Sequence, residues 1–104
     1  MATLNINTAR SDISTDYVTI YTCPANTSAS IQSIYFSNKS DVDLQFDLVI
    51  TVNDLDFFLS RHSTLPSQCT IIIDKIVNMK TRDQIKVKTL SGFIDVFASI
   101  TETR

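Results

Sequence analysis

Few side chains in this sequence are of the types that carry out chemistry, and they are scattered along the chain. The 104 residues include one histidine, His62, which lies in the polar segment RHSTLPS. A zinc site or a Ser-His-Asp triad would have to be built around it. Its polar, loop-like surroundings favour a plain surface histidine instead. The single glycine also excludes a glycine-rich phosphate-binding loop. The sequence therefore predicts no catalytic residues and a non-enzymatic protein.

Two pairs of side chains could bind a metal ion or form a cross-link. Asp54 and Asp56 lie at a predicted turn, and Ca²⁺ takes several oxygen ligands from such loops. No glycine-centred loop of the required length follows them, so we predict no metal site and no cofactor. Cys23 and Cys69 are too few for a cysteine-only zinc site. We interpret them as free, buried thiols, with one inter-strand disulfide as the alternative.

Three tyrosines and two sequons are the features that suggest carbohydrate. Tyr17, Tyr21 and Tyr35 could form aromatic platforms for a sugar. Each equally suits a half-buried strand position, where the ring packs and the hydroxyl reaches water. Asn26 and Asn38 begin the sequons NTS and NKS. In a chain rich in Asn, Ser and Thr such matches are expected by chance, and we discount both.

One long alternating stretch indicates how the chain positions these side chains. In residues 42–52, VDLQFDLVITV, an apolar residue stands at every second position, with Asp43 and Asp47 among the polar residues between them. Successive side chains of a strand point to opposite faces, so this stretch predicts a strand with one apolar and one wet face. Its apolar face must be covered by a second layer of strands.

Other segments repeat this pattern at spacings near ten residues, without a convincing helix. They are residues 17–22, 27–37, 55–59, 69–73, 76–79, 85–88 and 93–100, and a loop is expected at 61–67. We therefore predict an all-β protein, an antiparallel β-sandwich of seven to eight strands, either jelly-roll or immunoglobulin-like. Asn, Asp and Ser are expected to replace glycine in its turns. The predicted core consists of Val18, Ile20, Leu44, Phe46, Leu48, Ile50, Ile71, Ile73, Ile85, Val87, Ile94, Val96 and Ile100.

The first residues differ from the rest of the chain. Leu4 and Ile6 alternate with asparagines, whereas residues 9–16 are polar and show no period. We predict an N-terminal arm at residues 1–16 and a β-sandwich domain at 17–104. An arm of this kind can lie along the exposed strand edge of another subunit, with Leu4 and Ile6 as the subunit contacts. A fraying terminus is the alternative.

Charge and hydropathy exclude several classes of partner. The formal net charge of −2 offers little attraction to a phosphate backbone. No apolar run approaches the roughly 20 residues that span a bilayer. The first ten residues, MATLNINTAR, also lack the basic and apolar regions of a secretory signal. The sequence therefore predicts neither a nucleic-acid partner nor a membrane association.

Two groups of motifs carry a family resemblance. The segment VTIYTCPANTS ends a strand in Tyr-Thr-x-Pro-Ala before a polar turn, and the strand SIYFSN follows. Later, MKTRDQIKV combines an apolar strand, a turn ending in Asp and an Ile-x-Val strand. Over residues 17–100 this order resembles small virion structural proteins of tailed bacteriophages, notably those of cyanobacterial hosts. The family usually has glycine in both turns, where this chain has Asn26 and Arg82.

The resemblance implies a structural role in a virus particle. It implies a β-sandwich subunit that decorates the capsid or forms part of the neck or tail, is assembled in the host cytoplasm, and has no active site. The expected partners are other virion proteins and further copies of the same chain. A carbohydrate- or receptor-binding module is the alternative, in which exposed tyrosines with nearby Asp and Asn bind a host-surface glycan.

Overall fold

The computed structural model describes residues 2–104, which fold into two antiparallel β-sheets packed face to face. The strands are β1 (Thr3–Ile13), β2 (Val18–Thr22), β3 (Ser28–Ser37), β4 (Leu44–Val52), β5 (Leu55–Leu65), β6 (Thr70–Ile73), β7 (Val77–Met79), β8 (Gln84–Thr89) and β9 (Ile94–Thr103). The predicted all-β sandwich is confirmed. Across residues 2–104, no helix has the length and apolar character needed to cross a membrane.

The strands pair as a ribbon that is folded over on itself. β1 pairs with β9, β2 with β8, β4 with β5, and β3 with both β6 and β7. The pairs β3–β9 and β4–β8 then complete two sheets, in the orders β1-β9-β3-β6 and β2-β8-β4-β5. This arrangement is a jelly roll. The strands number nine rather than seven to eight because β6 and β7 share one position beside β3, interrupted at residues 74–76.

Apolar side chains from both sheets form one core. Most of the predicted core residues are buried, while Val18, Ile50, Ile71 and Ile73 are partly buried and pack against the rest. Phe36 of β3 and Phe46 of β4 stack across the two sheets with ring centroids 4.3 Å apart. Period-2 alternation thus sorted the inward-facing residues correctly, because each sheet has one face on the core.

The central stretch differs from its prediction in two respects. The strand begins at Leu44 rather than at residue 42, and Val42 is 60% exposed in the preceding turn. Asp47 was expected on a wet face, yet it is buried, and its Oδ1 accepts a hydrogen bond from the His62 amide at 2.6 Å. Val49 is also fully buried. The middle of β4 is therefore covered on both faces, since Phe58 of β5 lies opposite Val49.

Residues 3–13, expected as part of an arm, form an edge strand of the chain's own sheet. β1 pairs with β9 from Thr3 to Ile13, and Ile13 is buried. The Thr8 hydroxyl also donates to the Ile20 carbonyl at 2.7 Å. We expected the polar stretch from residue 9 to be too irregular for a strand. That expectation is wrong for its first part, because β1 continues to Ile13. A bulge near Asp12, whose φ is +56°, shifts the register and lets the pairing resume.

Two further segments expected as irregular are also strands. The predicted loop at 61–67 belongs mostly to β5, which runs to Leu65 and bends at His62, where φ is +50°. The last strand, predicted at 93–100, continues as β9 as far as Thr103, and Glu102 within this extension is buried. The first segment is paired with β4, and the second is paired with β1 and β3. In both cases this strand pairing overrides the weak local pattern.

Asparagine and aspartate make several tight turns, as predicted for a chain with so little glycine. Asn53 and Asp54 both have positive φ, of +53° and +64°, and together form the two-residue β4–β5 hairpin. Gly92 has φ of +71°, and a Cβ there would lie 2.9 Å from a Leu44 methyl carbon. The β8–β9 connection spans residues 90–93.

Candidate functional site

The histidine lies on an edge strand, away from any enclosed cleft. His62 sits at the bend of β5 and its side chain is about half exposed. Its Nε2 lies 3.8 Å from Asp47 Oδ1, the oxygen that also accepts the His62 amide. The neighbouring hydroxyls of Ser60 and Ser63 hydrogen-bond to each other. Asp47 therefore satisfies the backbone at a bend, which is a structural task for a buried carboxylate.

The two acidic residues considered for calcium are engaged differently. Asp56 Oδ1 accepts a hydrogen bond from the Thr51 hydroxyl at 2.6 Å. Asp54 lines a polar hollow of about 400 Å³ at the end of the sandwich, together with Arg82 and Asp83. Asp83 in turn accepts from the Lys80 amide. No group of three or more His, Cys, Asp or Glu residues within 2–104 is placed to hold a metal ion.

Both cysteines are free, but only one has the predicted environment. Cys23 is buried, its burial raises the pKa of the thiol, and Sγ donates to the Thr27 carbonyl at 3.3 Å. Cys69 is exposed, so the prediction that both are buried is wrong for it. Cys69 lies in the turn before β6. Its backbone groups form hydrogen bonds with Pro66 and Asn38, and its side chain does not enter the core.

The three tyrosines occupy three different environments. Tyr21 is buried, and its hydroxyl donates to Glu102 Oε2 at 2.6 Å. Tyr17 lies beneath the Lys88 ammonium, which is 5.0 Å from the ring centroid. Tyr35 of β3 is 36% exposed on the outer face of its sheet. Tyr17 is equally exposed, at 37%, but Lys88 lies over one face of its ring, which leaves Tyr35 as the exposed tyrosine without a cation over its ring.

The two sequon asparagines also differ. Asn38 is buried, and its Nδ2 donates to the carbonyls of Val42 and Leu65 at 2.8 and 2.9 Å. Its amide nitrogen is thus already used to tie two turns together. Asn26 lies in an exposed turn and has φ of +57°. The burial of Asn38 agrees with the expectation that it is not a glycosylation site.

Strand register aligns an apolar row across the outer face of the sheet that contains β3. Ala9 of β1 pairs with Phe97 of β9, Phe97 with Tyr35 of β3, and Tyr35 with Ile72 of β6. The last three side chains are 40%, 36% and 53% exposed. The rings of Tyr35 and Phe97 meet edge to face, with centroids 6.1 Å apart. We call these four residues the aromatic row.

A hollow of about 370 Å³ lies beside the aromatic row. Ala9, Tyr35 and Phe97 supply apolar walls, and Ser37 and Asp95 supply polar groups. Asp95 Oδ1 accepts from the Asp12 amide at 3.0 Å and from Lys39 Nζ at 3.3 Å. Lys39 also pairs with Asp12 at 3.0 Å. These contacts hold the Asp95 carboxylate at the rim of the hollow.

The second unusual surface is one edge of the other sheet. β5 is the outermost strand in the order β2-β8-β4-β5. Four of its first five residues are large, apolar and exposed: Leu55 62%, Phe57 52%, Phe58 52% and Leu59 42%. Phe57 pairs with Ile50, which faces the core, yet half of Phe57 remains exposed. We call Leu55, Phe57, Phe58 and Leu59 the β5 apolar edge.

The predicted subunit contacts Leu4 and Ile6 lie on the outermost strand of the first sheet. Leu4 pairs with Glu102 and is 41% exposed. Ile6 pairs with Ile100 and packs against the core, partly buried. Leu4 is thus open to a partner, whereas much of Ile6 is used within the chain. Whether either residue contacts another subunit stays a prediction.

Sequence reasoning missed a buried polar cluster at the end of β9. Glu102 is buried, with Tyr21 on one oxygen and the Arg104 guanidinium 2.9 Å from the other. The Tyr21 bond, followed by Arg104, lowers the pKa of Glu102 below its ordinary value, although desolvation opposes them. Burial, followed by the Glu102 bond, raises the pKa of Tyr21 above its ordinary value. One local signal could have predicted the burial of Glu102. It lies two and four residues after Ile100 and Ala98, which are buried, so its side chain points to the same face of the strand.

The structure thus has two unusually apolar exposed surfaces, the aromatic row with its hollow and the β5 apolar edge. Comparison with known proteins adds no family name, because no family model matches this chain and no curated protein matches it in sequence.

Proposed function

We propose that this chain is a non-enzymatic structural subunit of a bacteriophage virion and that it works as a homo-oligomer. The observation that carries the oligomer is the β5 apolar edge. Monomeric soluble proteins rarely expose contiguous large apolar side chains, and here they lie on a strand whose outer backbone groups have no neighbouring strand in the sheet order. Apolar side chains and free backbone groups on one strand together favour pairing with another chain.

The β5 edge has few of the features that protect a solitary edge strand. It contains no proline and no lysine over Leu55–Leu65, and its charged residues are Asp56 and Arg61. Arg61 lies over the Phe58 ring at 5.2 Å, so part of its charge is directed at that ring. Residues 55–58 are regularly paired with β4, whereas the register shifts at Leu59 and again next to the bend at His62. The regular segment at 55–58, which lacks proline and lysine, is therefore the template for association.

A second copy of the chain is the partner that this edge fits most simply. Two β5 strands laid antiparallel would join two four-stranded sheets into one continuous sheet. Such a contact is isologous, because the same patch of each subunit meets the other across a two-fold axis. The edge of β1, with Leu4 exposed, remains as a further contact through which dimers would join into a larger ring or lattice.

The virion assignment rests on the resemblance, and two structural features support it. Jelly rolls occur among viral capsid and lectin domains, although a fold alone does not specify a function. Asn26 and Arg82 stand where the resembling family has glycine, and their φ angles are +57° and +74°. Glycine is the residue that adopts such angles without strain. The backbone therefore has glycine-like geometry at both positions, which is compatible with the resemblance.

Sedimentation velocity on matched variants tests the oligomer. We expect the wild-type protein to associate and Phe57→Ser to dissociate it, because serine removes the apolar anchor of the edge. Phe93→Ser is the control, since Phe93 is also a half-exposed phenylalanine, at 57%, but lies in the β8–β9 connection. Leu4→Ser tests the second contact. A wild-type protein that stays monomeric at high concentration, or equal effects of Phe57→Ser and Phe93→Ser, would contradict the proposed interface.

Location is tested separately, because an oligomer need not belong to a particle. Purified virions from cells that express the chain would be labelled with an antibody against it and imaged by electron microscopy. We expect labels at symmetric positions on the capsid, neck or tail. Absence of the chain from purified particles, together with its presence in the cell extract, would contradict the virion role and leave the oligomer result unaffected.

A further inference from the structure

We propose that the hollow beside the aromatic row binds an uncharged pyranose, as the terminal sugar of a glycan. This site is independent of the β5 apolar edge, because it lies on the outer face of the opposite sheet. It is built from side chains of three strands that the sheet register brings together, β1, β9 and β3.

The apolar side of the hollow matches the apolar face of a sugar ring. A pyranose presents axial C–H groups on one face and hydroxyls around its rim. Aromatic side chains offer flat, rigid apolar area and tend to be half exposed where one side must remain wet. Tyr35 and Phe97 meet at an interplanar angle of 69°, so one ring can form a floor and the other a wall. Ala9, paired with Phe97, is small and leaves the space beside the ring open.

The polar rim supplies the acceptor and donor groups that sugar hydroxyls need. The hydrogen bonds recorded for Asp95 within residues 2–104 both use Oδ1, and they leave Oδ2 available to accept from a ligand hydroxyl. Hydrogen bonds to a carboxylate are stronger than those between neutral groups. The Ser37 hydroxyl, which also bonds to Thr70 at 2.9 Å, lines the same hollow. A volume of about 370 Å³ is in the range of small-ligand sites.

The charge at the rim selects an uncharged sugar over an acidic one. Lys39 is paired with both Asp12 and Asp95. Arg10 is opposite the buried Val96, so its side chain lies on the inward side of β1 and adds no cation on the outer face. The two acidic residues and one lysine therefore leave no excess positive charge at the rim. An anionic sugar would face the Asp95 carboxylate at close range, which is unfavourable in a partly desolvated site. A neutral hexose meets hydroxyl partners without that cost.

Two-dimensional amide NMR with a panel of neutral methyl hexopyranosides tests the site directly. We expect at least one methyl glucoside, galactoside or mannoside, at millimolar concentration, to shift the amides of Ala9, Tyr35, Asp95 and Phe97 selectively. Phe97→Ala should weaken that binding at least tenfold, and Asp95→Asn should weaken it while preserving the fold. Phe93→Ala is the matched control and should bind as wild type does, because Phe93 does not line the hollow.

Several outcomes would overturn the sugar site. They are the lack of any localised shift with the whole panel, shifts confined to other parts of the sandwich, or undiminished binding by both Phe97→Ala and Asp95→Asn. A change in self-association on Phe97→Ala, without sugar-dependent shifts in the wild-type protein, would show instead that the row contacts protein. The results with sugars do not bear on the β5 apolar edge, whose test uses sedimentation.

Discussion

Replacing Tyr21 by phenylalanine tests whether the buried cluster at the end of β9 stabilises the sandwich. The Tyr21 hydroxyl on β2 donates to Glu102 on β9, and these strands belong to different sheets. Tyr21→Phe keeps the ring and removes the hydroxyl, so the packing of the core is preserved. Glu102 then retains Arg104 as its partner for one oxygen, and its other oxygen loses its hydrogen bond.

The expected cost follows from burial of the charge. A hydrogen bond to a charged group contributes about 1.5–3 kcal/mol, and an unsatisfied buried acceptor loses that amount. The average unfolding entropy per residue corresponds to about 4–5 °C in Tm for each kcal/mol in a domain of this size. Tyr21→Phe should therefore lower Tm by about 7–14 °C. Tyr35→Phe, with its ring on the exposed row, should change stability by less than about 0.5 kcal/mol.

The difference in stability between wild type and Tyr21→Phe should depend on pH through both Glu102 and Tyr21. The pKa of Glu102 is lowered from 4.5, so its ionised form contributes stability above that value and loses it as the pH falls through the folded-state pKa. The pKa of Tyr21 is raised from 10.0, so its contribution is present below that value and is lost at higher pH. The gap between wild type and Tyr21→Phe should be largest between these limits.

Urea denaturation followed by circular dichroism, at pH values from acid to alkaline, measures that gap. We expect a plateau in the stability difference at neutral pH and a smaller difference below pH 4.5 and above pH 10.0. A destabilisation as small as that of Tyr35→Phe would show that the Tyr21 bond contributes nothing. A large difference that does not vary with pH would refute the role of the Glu102 charge and indicate a packing effect.

Two other substitutions test the turns and the core by the same method. Arg82→Gly should stabilise the protein by about 1 kcal/mol, because a positive φ strains a residue with a Cβ; Asn26→Gly is the control and should change little, since asparagine tolerates that geometry. Loss of stability on Arg82→Gly would contradict the strain. Leu48→Ala should cost about 2–5 kcal/mol through the cavity it leaves, whereas Val42→Ala, at an exposed turn position, should be nearly neutral; similar costs for the two would contradict the core assignment.

The sequence alone determined the fold class and the inner face of most strands. Alternation in β9 separated Ile94 and Val96 from Asp95 and Phe97, and the structure places the first two inside and leaves Phe97 open. Polar turn residues marked the hairpin at Asn53. These signals are local, because side-chain direction in a strand depends only on position along that strand. They required no knowledge of which strands are neighbours.

Only the tertiary structure decided which strands lie side by side, and with that where the exposed apolar surfaces are. Phe97 and Tyr35 are far apart in sequence, and only the β3–β9 register brings their rings together. Asp47 and Glu102 appear as ordinary solvated acids until β5 and Tyr21 bury them. β5 presents an apolar edge because the sheet ends there. Pairing of distant strands depends on hydrogen bonds and packing summed over both sheets, which period-2 alternation along one strand does not encode.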